Sequence, residues 1–337
     1  MKLHNSIEPG AAISHMMPVE VVADLIGSGL PLSIAGREAA LDRLPAGNWI
    51  GGTTPYFMND GGGVMADSDS VFVSDLSHMG DIRFASFGED ELVNISETCP
   101  EHGFALTILP FGSACHQRFA AEAPAYPQAF LKPTVGWIAG FDLSESGARA
   151  YVYDGRTGSK HDNRAVVAHV TLPEEVMVSI DILNIFTPDE GDIIRFADAG
   201  NVQRTCLVNG VEKDFAAYIA ARGCDDGALP LIGDFAGAHV NASIQSIEAS
   251  GDVVLYAPVF PGVDYHFATP VSSYADAFRE RLKSWGNDDI FWSCNCVLNF
   301  VFGKLEGQQL GAPAGPVTFG EIAYQLVNQT LVVLRRM

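Results

Sequence analysis

Basic residues are scarce in this sequence of 337 residues. Only 20 Lys and Arg stand against 41 Asp and Glu, which gives a formal net charge of −21. A field of this sign repels phosphate groups, so nucleic acids and anionic membrane surfaces are unfavourable partners. The sequence therefore predicts a protein that binds neither nucleic acid nor membrane.

Long apolar runs are also missing. No stretch approaches the roughly 18 consecutive apolar residues that span a bilayer, and the first ten residues, MKLHNSIEPG, lack the apolar core of a signal peptide. No Cys-x-x-Cys pair occurs. A chain of this size without a secretion signal is expected to keep its thiols reduced, and we expect a cytoplasmic location. The six cysteines are Cys99, Cys115, Cys206, Cys224, Cys294 and Cys296.

Several segments resemble motifs of known chemistry but lack residues that those motifs require. Gly27-Ser28-Gly29 begins like a dinucleotide-binding loop, but Leu32 stands where the third glycine is needed, and the segment follows a predicted helix. Gly61-Gly62-Gly63 lacks the Gly-Lys-Ser/Thr ending of a phosphate loop. Neither Gly-x-Ser-x-Gly nor His-Glu-x-x-His occurs. Sequence motifs therefore assign no cofactor and no metal.

Helical and strand patterns alternate along the chain, which predicts an α+β fold with mixed or largely antiparallel sheets. The clearest helix is predicted over Glu212–Arg222, where Gly223 supplies the C-terminal stop. Trp49-Ile50-Gly51-Gly52-Thr53 is echoed by Gly136-Trp137-Ile138-Ala139-Gly140. The echo suggests two equivalent halves in the first part of the chain, each with a strand that ends in a bare backbone loop; chance similarity is the alternative.

A set of short segments, taken in order, resembles the FIST family (F-box and intracellular signal transduction proteins). The closest match is the terminal stretch Gly320-Glu321-Ile322 to Asn328-Gln329-Thr330. Two positions depart from the family: Cys296-Val297 replaces a Gly-Arg pair, and Pro55 to Met58 replaces Ala-Gly-Glu. The other matching segments are Trp49 to Thr54, Val135 to Asp142, Tyr153 to Gly155, Asp198 to Asn201, Val208 to Gly210, Phe215 to Ala221 and Phe291 to Asn295.

The resemblance implies a FIST N-terminal-like domain over residues 1–207 and a C-terminal-like domain over 208–337. It also implies a sensory module that binds a small molecule, such as an amino acid, and that signals through a separate protein. Haem is the ligand in some relatives. With no covalent attachment motif, a haem here would be non-covalent, and His15, His116 or Cys115 would be its axial ligands.

Candidate ligand-binding residues cluster around small-residue turns, where glycines let a ligand approach the backbone. Trp49, Trp137 and Tyr56 would supply apolar walls. The alternative explanation for each glycine is a tight turn, and for each tryptophan a place in the core. The predicted site comprises Gly51, Gly52, Thr53, Thr54, Trp137, Asp142, Cys294, Asn295 and Glu321.

Two alternatives remain open at this stage. Cys294 follows a predicted strand, and a cysteine that faces a helix N-terminus has a lowered pKa, so the first alternative is a hydrolase or transferase that uses Cys294. Its base would be His15, His78, His239 or His266. A metal site could be drawn from two pairs, Cys99 with His102 and Cys115 with His116. Packing is the competing explanation for all of these cysteines.

The stretch GEIAYQLVNQT, Gly320 to Thr330, is polar within an otherwise apolar tail. We predict a strand-like run over Thr318–Ala323, a short turn, and a last strand over Thr330–Leu334. Asn328 and Thr330 are expected to fix backbone geometry. Glu321 is expected to face the ligand, because burying a carboxylate is energetically unfavourable unless a partner pairs with it.

Overall fold

The computed structural model describes residues 14–235, 237–283, 285 and 289–337. The N-terminal segment from which we predict the absence of a signal peptide lies outside these residues. The predicted α+β class with mixed sheets is confirmed. Among the described residues, none of the helices has the length and apolar character needed to cross a bilayer.

The described chain is built from three repeats. In the first repeat, helix α1 buries Val19, Val22 and Ile26, which follow the spacing of an amphipathic helix. The elements of this repeat are β1 Ser14–Pro18, α1 Val19–Gly27, β2 Leu32–Gly36, α2 Glu38–Leu41, β3 Trp49–Thr53, β4 Tyr56–Asn59, β5 Gly62–Met65 and β6 Ser70–Asp75.

The second repeat has the same order of strands. Two short 3₁₀ helices, Glu89–Glu91 and Ala123–Ala125, accompany its α-helices. Its main elements are β7 Asp81–Phe87, α3 Asn94–Glu97, β8 Gly103–Pro110, α4 Ala114–Glu122, β9 Thr134–Ala139, β10 Val152–Asp154, β11 Ser159–His161 and β12 Ala165–Thr171.

The third repeat begins with β13 Val178–Leu183 and is then interrupted by an insertion, residues 184–289. The insertion contains β14 Ile194–Arg195, β15 Gly200–Gln203, β16 Thr205–Val208, β17 Val211–Asp214, α5 Phe215–Arg222, β18 Leu231–Phe235, β19 Ala238–Ala242, β20 Ile244–Ile247, β21 Val253–Val259, β22 Asp264–Phe267 and α6 Tyr274–Lys283. The repeat resumes with β23 Ile290–Cys296, α7 Val297–Phe302, β24 Gly315–Thr318, β25 Glu321–Ala323, β26 Gln325–Val327 and β27 Leu331–Arg336.

Each repeat supplies the four central and edge strands of one six-stranded sheet, and the three sheets have the same order of equivalent strands. The orders are β1-β6-β2-β3-β10-β11, β7-β12-β8-β9-β25-β26 and β13-β27-β23-β24-β4-β5. In each sheet the central pair is parallel, namely β2 with β3, β8 with β9, and β23 with β24. A crossover helix, α2, α4 or α7, joins each pair, as parallel neighbours require.

The outer hairpin of each sheet comes from a different repeat. The hairpin β4–β5 follows β3 but pairs with β24, while β10–β11 follows β9 and pairs with β3. The hairpin β25–β26 follows β24 and pairs with β9. The three repeats thus exchange hairpins in a cycle, and each sheet needs strands from two repeats.

A common apolar core forms where the three sheets meet. Phe72 comes from the first sheet, Trp137 from the second, and Phe57 and Cys294 from the third, and all belong to one buried cluster. The insertion adds a separate core around Phe215, beneath a fourth six-stranded sheet, β17-β16-β14-β22-β18-β19.

The structure revises three sequence predictions. The echoed segments lie in equivalent strands, β3 and β9, but the repeat extends over the whole described chain rather than over two halves of its first part. The boundary predicted between residues 207 and 208 falls inside β16, and four sheets combine strands from both sides of it. The helix predicted over Glu212–Arg222 begins only at Phe215, because Asp214 Oδ1 caps it by accepting from the Ala217 N–H at 2.9 Å.

Candidate functional site

The candidate site is a cleft of about 330 Å³, here called the first cleft. It is lined by residues from segments 37–42, 53–55 and 141–149, and by Ser68. The first three segments follow β2, β3 and β9, so the cleft lies outside the carboxyl ends of parallel strands. In open α/β sheets this is the position where ligands bind.

Three predicted site residues, Thr53, Thr54 and Asp142, line this cleft. The two threonine hydroxyls are engaged in joining the repeats. Thr53 Oγ1 donates to the Gly140 carbonyl at 2.7 Å and accepts from the Tyr151 N–H at 3.0 Å. Thr54 Oγ1 donates to the Val317 carbonyl at 2.6 Å. These hydroxyls fix the floor of the cleft.

Asp142 forms an ion pair with Arg37 across the cleft, at 2.8 Å between Oδ2 and the guanidinium. Arg37 Nε also donates to the Ala66 carbonyl at 2.7 Å. Asp142 Oδ1 accepts from the Ser144 hydroxyl at 2.7 Å and from the Ser144 N–H at 3.0 Å. The Ser144 hydroxyl, aided by its N–H and by Arg37, lowers the pKa of Asp142, so this carboxylate is ionised and already partnered.

Glu38 and Asp42 add two further carboxylates to the lining of the cleft. Lys160 Nζ lies 2.6 Å from Glu38 Oε1 and 2.9 Å from Asp42 Oδ2. The Tyr153 hydroxyl donates to Asp42 Oδ1 at 2.7 Å. Both carboxylate side chains remain 46% exposed, so their oxygens are accessible to a ligand in the cleft. Sequence reasoning missed this pair, although Glu38 begins the short helix that follows β2 and Asp42 follows that helix.

The loop between β9 and β10, residues 140–151, forms one wall of the cleft. In the other repeats the equivalent connections are two residues long, 54–55 and 319–320. The Leu143 N–H donates to the Tyr56 hydroxyl at 3.0 Å and so fastens the loop to β4. Arg149 is 71% exposed, and Asp162 lies 3.8 Å from its guanidinium. The loop is a departure from the repeat that brings charge to the cleft.

The lining of the first cleft is net negative. Four carboxylates, those of Glu38, Asp42, Asp142 and Glu145, face two guanidiniums, those of Arg37 and Arg149. Lys160, which is paired with Glu38 and Asp42, reduces the negative balance to one charge. Clefts lined by an excess of one sign concentrate ligands of the other sign. The arrangement therefore favours a ligand that carries a cationic group.

The structure places Gly51, Gly52 and Trp137 inside the packed core instead of at a ligand. Both glycines lie within β3, not in a loop. A Cβ on Gly52 would lie 2.8 Å from Trp137 Cη2, and a Cβ on Gly51 would lie 2.5 Å from the Ile34 carbonyl oxygen. These glycines allow close approach of the neighbouring strand and of the Trp137 ring.

Cys294 is completely buried in β23, and its Sγ lies 3.5 Å from the Gly136 carbonyl oxygen. Burial raises the pKa of its thiol well above the ordinary value, so the lowered pKa expected from its strand-end position was wrong. The histidines considered as its base occupy separate elements. His15 lies in β1, His78 beside Asp75, His239 in β19 and His266 in β22.

Glu321 and Asn295 belong to an internal polar cluster. Glu321 Oε2 accepts from the Thr330 hydroxyl at 2.7 Å and from the Thr330 N–H at 3.3 Å. Burial raises the pKa of Glu321 to about 8. Asn295 Oδ1 accepts from the Cys296 N–H and from Asn299 Nδ2. The prediction that Glu321 faces a ligand is corrected. Its carboxyl group faces the interior of the third repeat and accepts hydrogen bonds from hydroxyl groups there.

The residues considered as metal or haem ligands are not brought together. His15 is exposed on β1, while Cys115 and His116 are buried on α4. Cys115 Sγ donates to the Asn163 carbonyl at 3.2 Å, and His102 Nε2 lies 2.9 Å from the Pro173 carbonyl oxygen. Within the part of the chain that the structure describes, no three His, Cys, Asp or Glu side chains are grouped as metal ligands.

Comparisons with known proteins assign the chain to a family. A search of curated proteins gives no match. The family model described as "Family of unknown function (DUF6976)" matches residues 17–336. This match covers nearly the whole sequence, and the chain therefore belongs to the DUF6976 family.

Proposed function

We propose that the protein binds a small, amine-bearing metabolite of the amino acid class in the first cleft. The observation that carries this proposal is the pair of half-exposed carboxylates, Glu38 and Asp42, outside the carboxyl ends of parallel strands. The volume of about 330 Å³ lies near the lower end of the range for small-molecule pockets, roughly 300–1,000 Å³.

The contacts follow from the charges around the cleft. A ligand ammonium group would accept no hydrogen bond and donate up to three, and Glu38 and Asp42 would receive them. Lys160 Nζ contacts one oxygen of Glu38 and both oxygens of Asp42, so the ligand would share these carboxylates with this residue. Arg149 would bind the carboxylate of the ligand, because its guanidinium is exposed and presents a planar fork of donors.

A sensory role in the cytoplasm is the biological setting that we infer. The resemblance to FIST domains supports sensing of a small molecule, with output through a separate protein. All six cysteines are free thiols, which is typical of proteins in a reducing compartment. The loop 140–151 contacts the first sheet through Arg37, which follows β2, and the third sheet through Tyr56 of β4, so a ligand that changes the loop would act on two sheets.

Titration calorimetry of the full chain with the twenty amino acids tests the proposal. We expect saturable binding of at least one of them, and binding weakened about tenfold or more in the double variant Glu38→Gln, Asp42→Asn, since each lost charge-assisted hydrogen bond removes roughly 1.5–3 kcal/mol. The matched control is Glu280→Gln on α6. Glu280 is also paired with a lysine, Lys283, at 2.8 Å and lies outside the cleft.

Two results would overturn the proposal. One is the absence of binding across the whole panel. The other is an affinity that the double variant leaves unchanged while its circular dichroism and melting temperature match those of the wild type. Native mass spectrometry of the purified protein adds an independent readout, because a co-purified amine-bearing metabolite would be seen directly as added mass.

A further inference from the structure

A second cleft of about 370 Å³ lies beside the first. It is lined by Phe111, Gly112 and Ser113 after β8, by Asp162, and by residues of the loop 140–151. Phe141, Ala148 and Arg149 line both clefts. The two clefts therefore adjoin, and the loop 140–151 supplies the wall that they share.

The two clefts occupy equivalent places in two repeats. Gly36 is paired with Thr53 at the ends of β2 and β3, and Pro110 with Ala139 at the ends of β8 and β9. The residues that follow these ends line the first and the second cleft respectively. Ser68, between β5 and β6, and Asp162, between β11 and β12, also correspond. The two adjoining clefts are therefore equivalent positions of the first and second repeats.

The third equivalent place is covered by the insertion. Ser243 Oγ donates to Asn328 Oδ1 or Gln329 Oε1, and Asn241 Nδ2 donates to the Asn328 carbonyl at 3.1 Å. Gln329 Nε2 donates to the Tyr274 hydroxyl at 3.0 Å. These contacts lie at the connection between β26 and β27, which corresponds to the positions of Ser68 and Asp162 in the other two repeats. The two clefts that remain open are the two that adjoin.

The second cleft differs from the first in its chemistry. Its walls include the rings of Phe111 and Phe141, whose centroids lie 6.2 Å apart in an edge-to-face arrangement. Both rings are only partly buried. Asp162 is its only carboxylate among the lining residues, and Arg149 stands between this apolar wall and the acidic first cleft. An apolar group is suited to the second cleft, and an ammonium group to the first.

We propose that one ligand of dipeptide size occupies both clefts. Its amino terminus lies at Glu38 and Asp42, its carboxylate at Arg149, and an apolar or aromatic side chain against Phe111 and Phe141. This inference rests on the proposed function, since it takes the first cleft as the ammonium site. It adds a second subsite and makes a short peptide, rather than a free amino acid, the preferred ligand class.

Calorimetry with alanine and with alanyl-phenylalanine tests the second subsite. The wild type is expected to bind the dipeptide about tenfold more tightly or better, because the phenyl ring is buried in the second cleft. The variant Asp162→Cys allows this cleft to be blocked with N-phenylmaleimide. All six native cysteines are buried, so the new thiol is modified selectively. Asp225→Cys, at an exposed position outside both clefts, is the labelled control.

Labelling of Asp162→Cys should remove the advantage of the dipeptide and leave the affinity for alanine as it is in the unlabelled variant. Labelling of Asp225→Cys should change neither. Equal affinities for alanine and the dipeptide, or a dipeptide affinity unaffected by the block, overturn the second subsite and leave the proposed function standing. Failure of both compounds to bind, together with every other amino acid, overturns the two proposals together.

Discussion

The hydroxyl of Thr54 donates to the carbonyl of Val317 at 2.6 Å, although 263 residues separate them. The bond is fully buried and joins the floor of the first cleft to β24 of the third repeat. It is one of the contacts that hold the three repeats together as a single packed unit. The strength of this contact can be measured by substitution.

Thr54→Val keeps the shape of the side chain and removes the donor. The Val317 carbonyl is then left buried without this partner, so we expect a loss of about 1–3 kcal/mol in the free energy of unfolding. Thr157→Val is the matched control, because the Thr157 hydroxyl donates to a backbone carbonyl at 3.2 Å at an exposed position. Equal losses in urea denaturation of the two variants would contradict the role given to the buried bond.

Glu321 should make stability fall with rising pH. Its pKa is raised from 4.5 to about 8 in the folded protein, chiefly by burial. The folded state therefore holds a proton that the unfolded state releases, and the stabilisation present below about pH 4.5 is lost as the pH rises through about 8. Glu321→Gln cannot ionise. Relative to this variant, the wild type should lose on the order of 3–4 kcal/mol between pH 5 and pH 9.

The measurement is denaturant unfolding of both proteins across that range. A constant difference between the wild type and Glu321→Gln would show that the carboxyl titrates alike in the folded and unfolded states. Ligand affinity gives a second readout: since Glu321 lies outside both clefts, Glu321→Gln should leave the binding of an amine-bearing ligand unchanged.

His169 should act in the opposite direction at acidic pH. Burial lowers its pKa from 6.5 to about 4. Between these pH values the imidazole is protonated in the unfolded chain and neutral in the folded chain. Stability is then lost as the pH falls from about 6.5 towards 4. Compared with His169→Gln, the wild type should lose on the order of 1–2 kcal/mol between pH 7 and pH 5. Parallel pH profiles of the two proteins would refute this assignment.

Gly52→Ala should destabilise the fold through a steric clash. The added methyl group would lie 2.8 Å from Ile108 Cγ2 and from Trp137 Cη2, and overpacking of a core typically costs about 1–3 kcal/mol. Gly27→Ala is the control, since a Cβ there has no atom within 4 Å. Thermal unfolding should show a lower melting temperature for Gly52→Ala alone. A wild-type melting temperature in that variant would mean that the core has room at Gly52.

The thiols of the native protein should resist a chromogenic disulfide reagent at neutral pH. Burial raises the pKa of Cys294 and Cys296 well above the ordinary value, and that of Cys99 to about 11. All six should react only after unfolding in denaturant. Asp225→Cys provides an exposed thiol of ordinary reactivity as the control. Rapid reaction of Cys294 itself, located by mass spectrometry of the labelled protein, would restore it as a candidate nucleophile.

The fold was predictable in part. The echo between Trp49–Thr53 and Gly136–Gly140 located two equivalent strands, because both carry an aromatic–Ile pair beside small residues. The third equivalent strand, β24, has the sequence Gly-Pro-Val-Thr and shares no such pattern; only its backbone pairing reveals it. The hairpin exchange could not be predicted from the sequence, because turn residues specify a hairpin locally but not the sheet with which it pairs.

The site was predictable where it depends on strand ends. Thr53, Thr54 and Asp142 follow β3 and β9 and do line the first cleft. Glu38 and Asp42 were missed although they begin and follow the short helix α2. Arg149 was missed because its placement depends on how the loop 140–151 folds against two other elements. Gly51 and Gly52 were misread since a small residue leaves room for any neighbour, and the neighbour here is the Trp137 ring.

The cyclic exchange of hairpins has one last consequence. If the three repeats were separate chains, each would still give its hairpin to one neighbour and receive one from the other, and every sheet would be complete. That connectivity is the closed rotational symmetry of a homotrimer, in which one heterologous interface is used three times. The protein has the architecture of a trimer whose subunits are joined end to end, and its insertion and long loop are places where the three repeats differ.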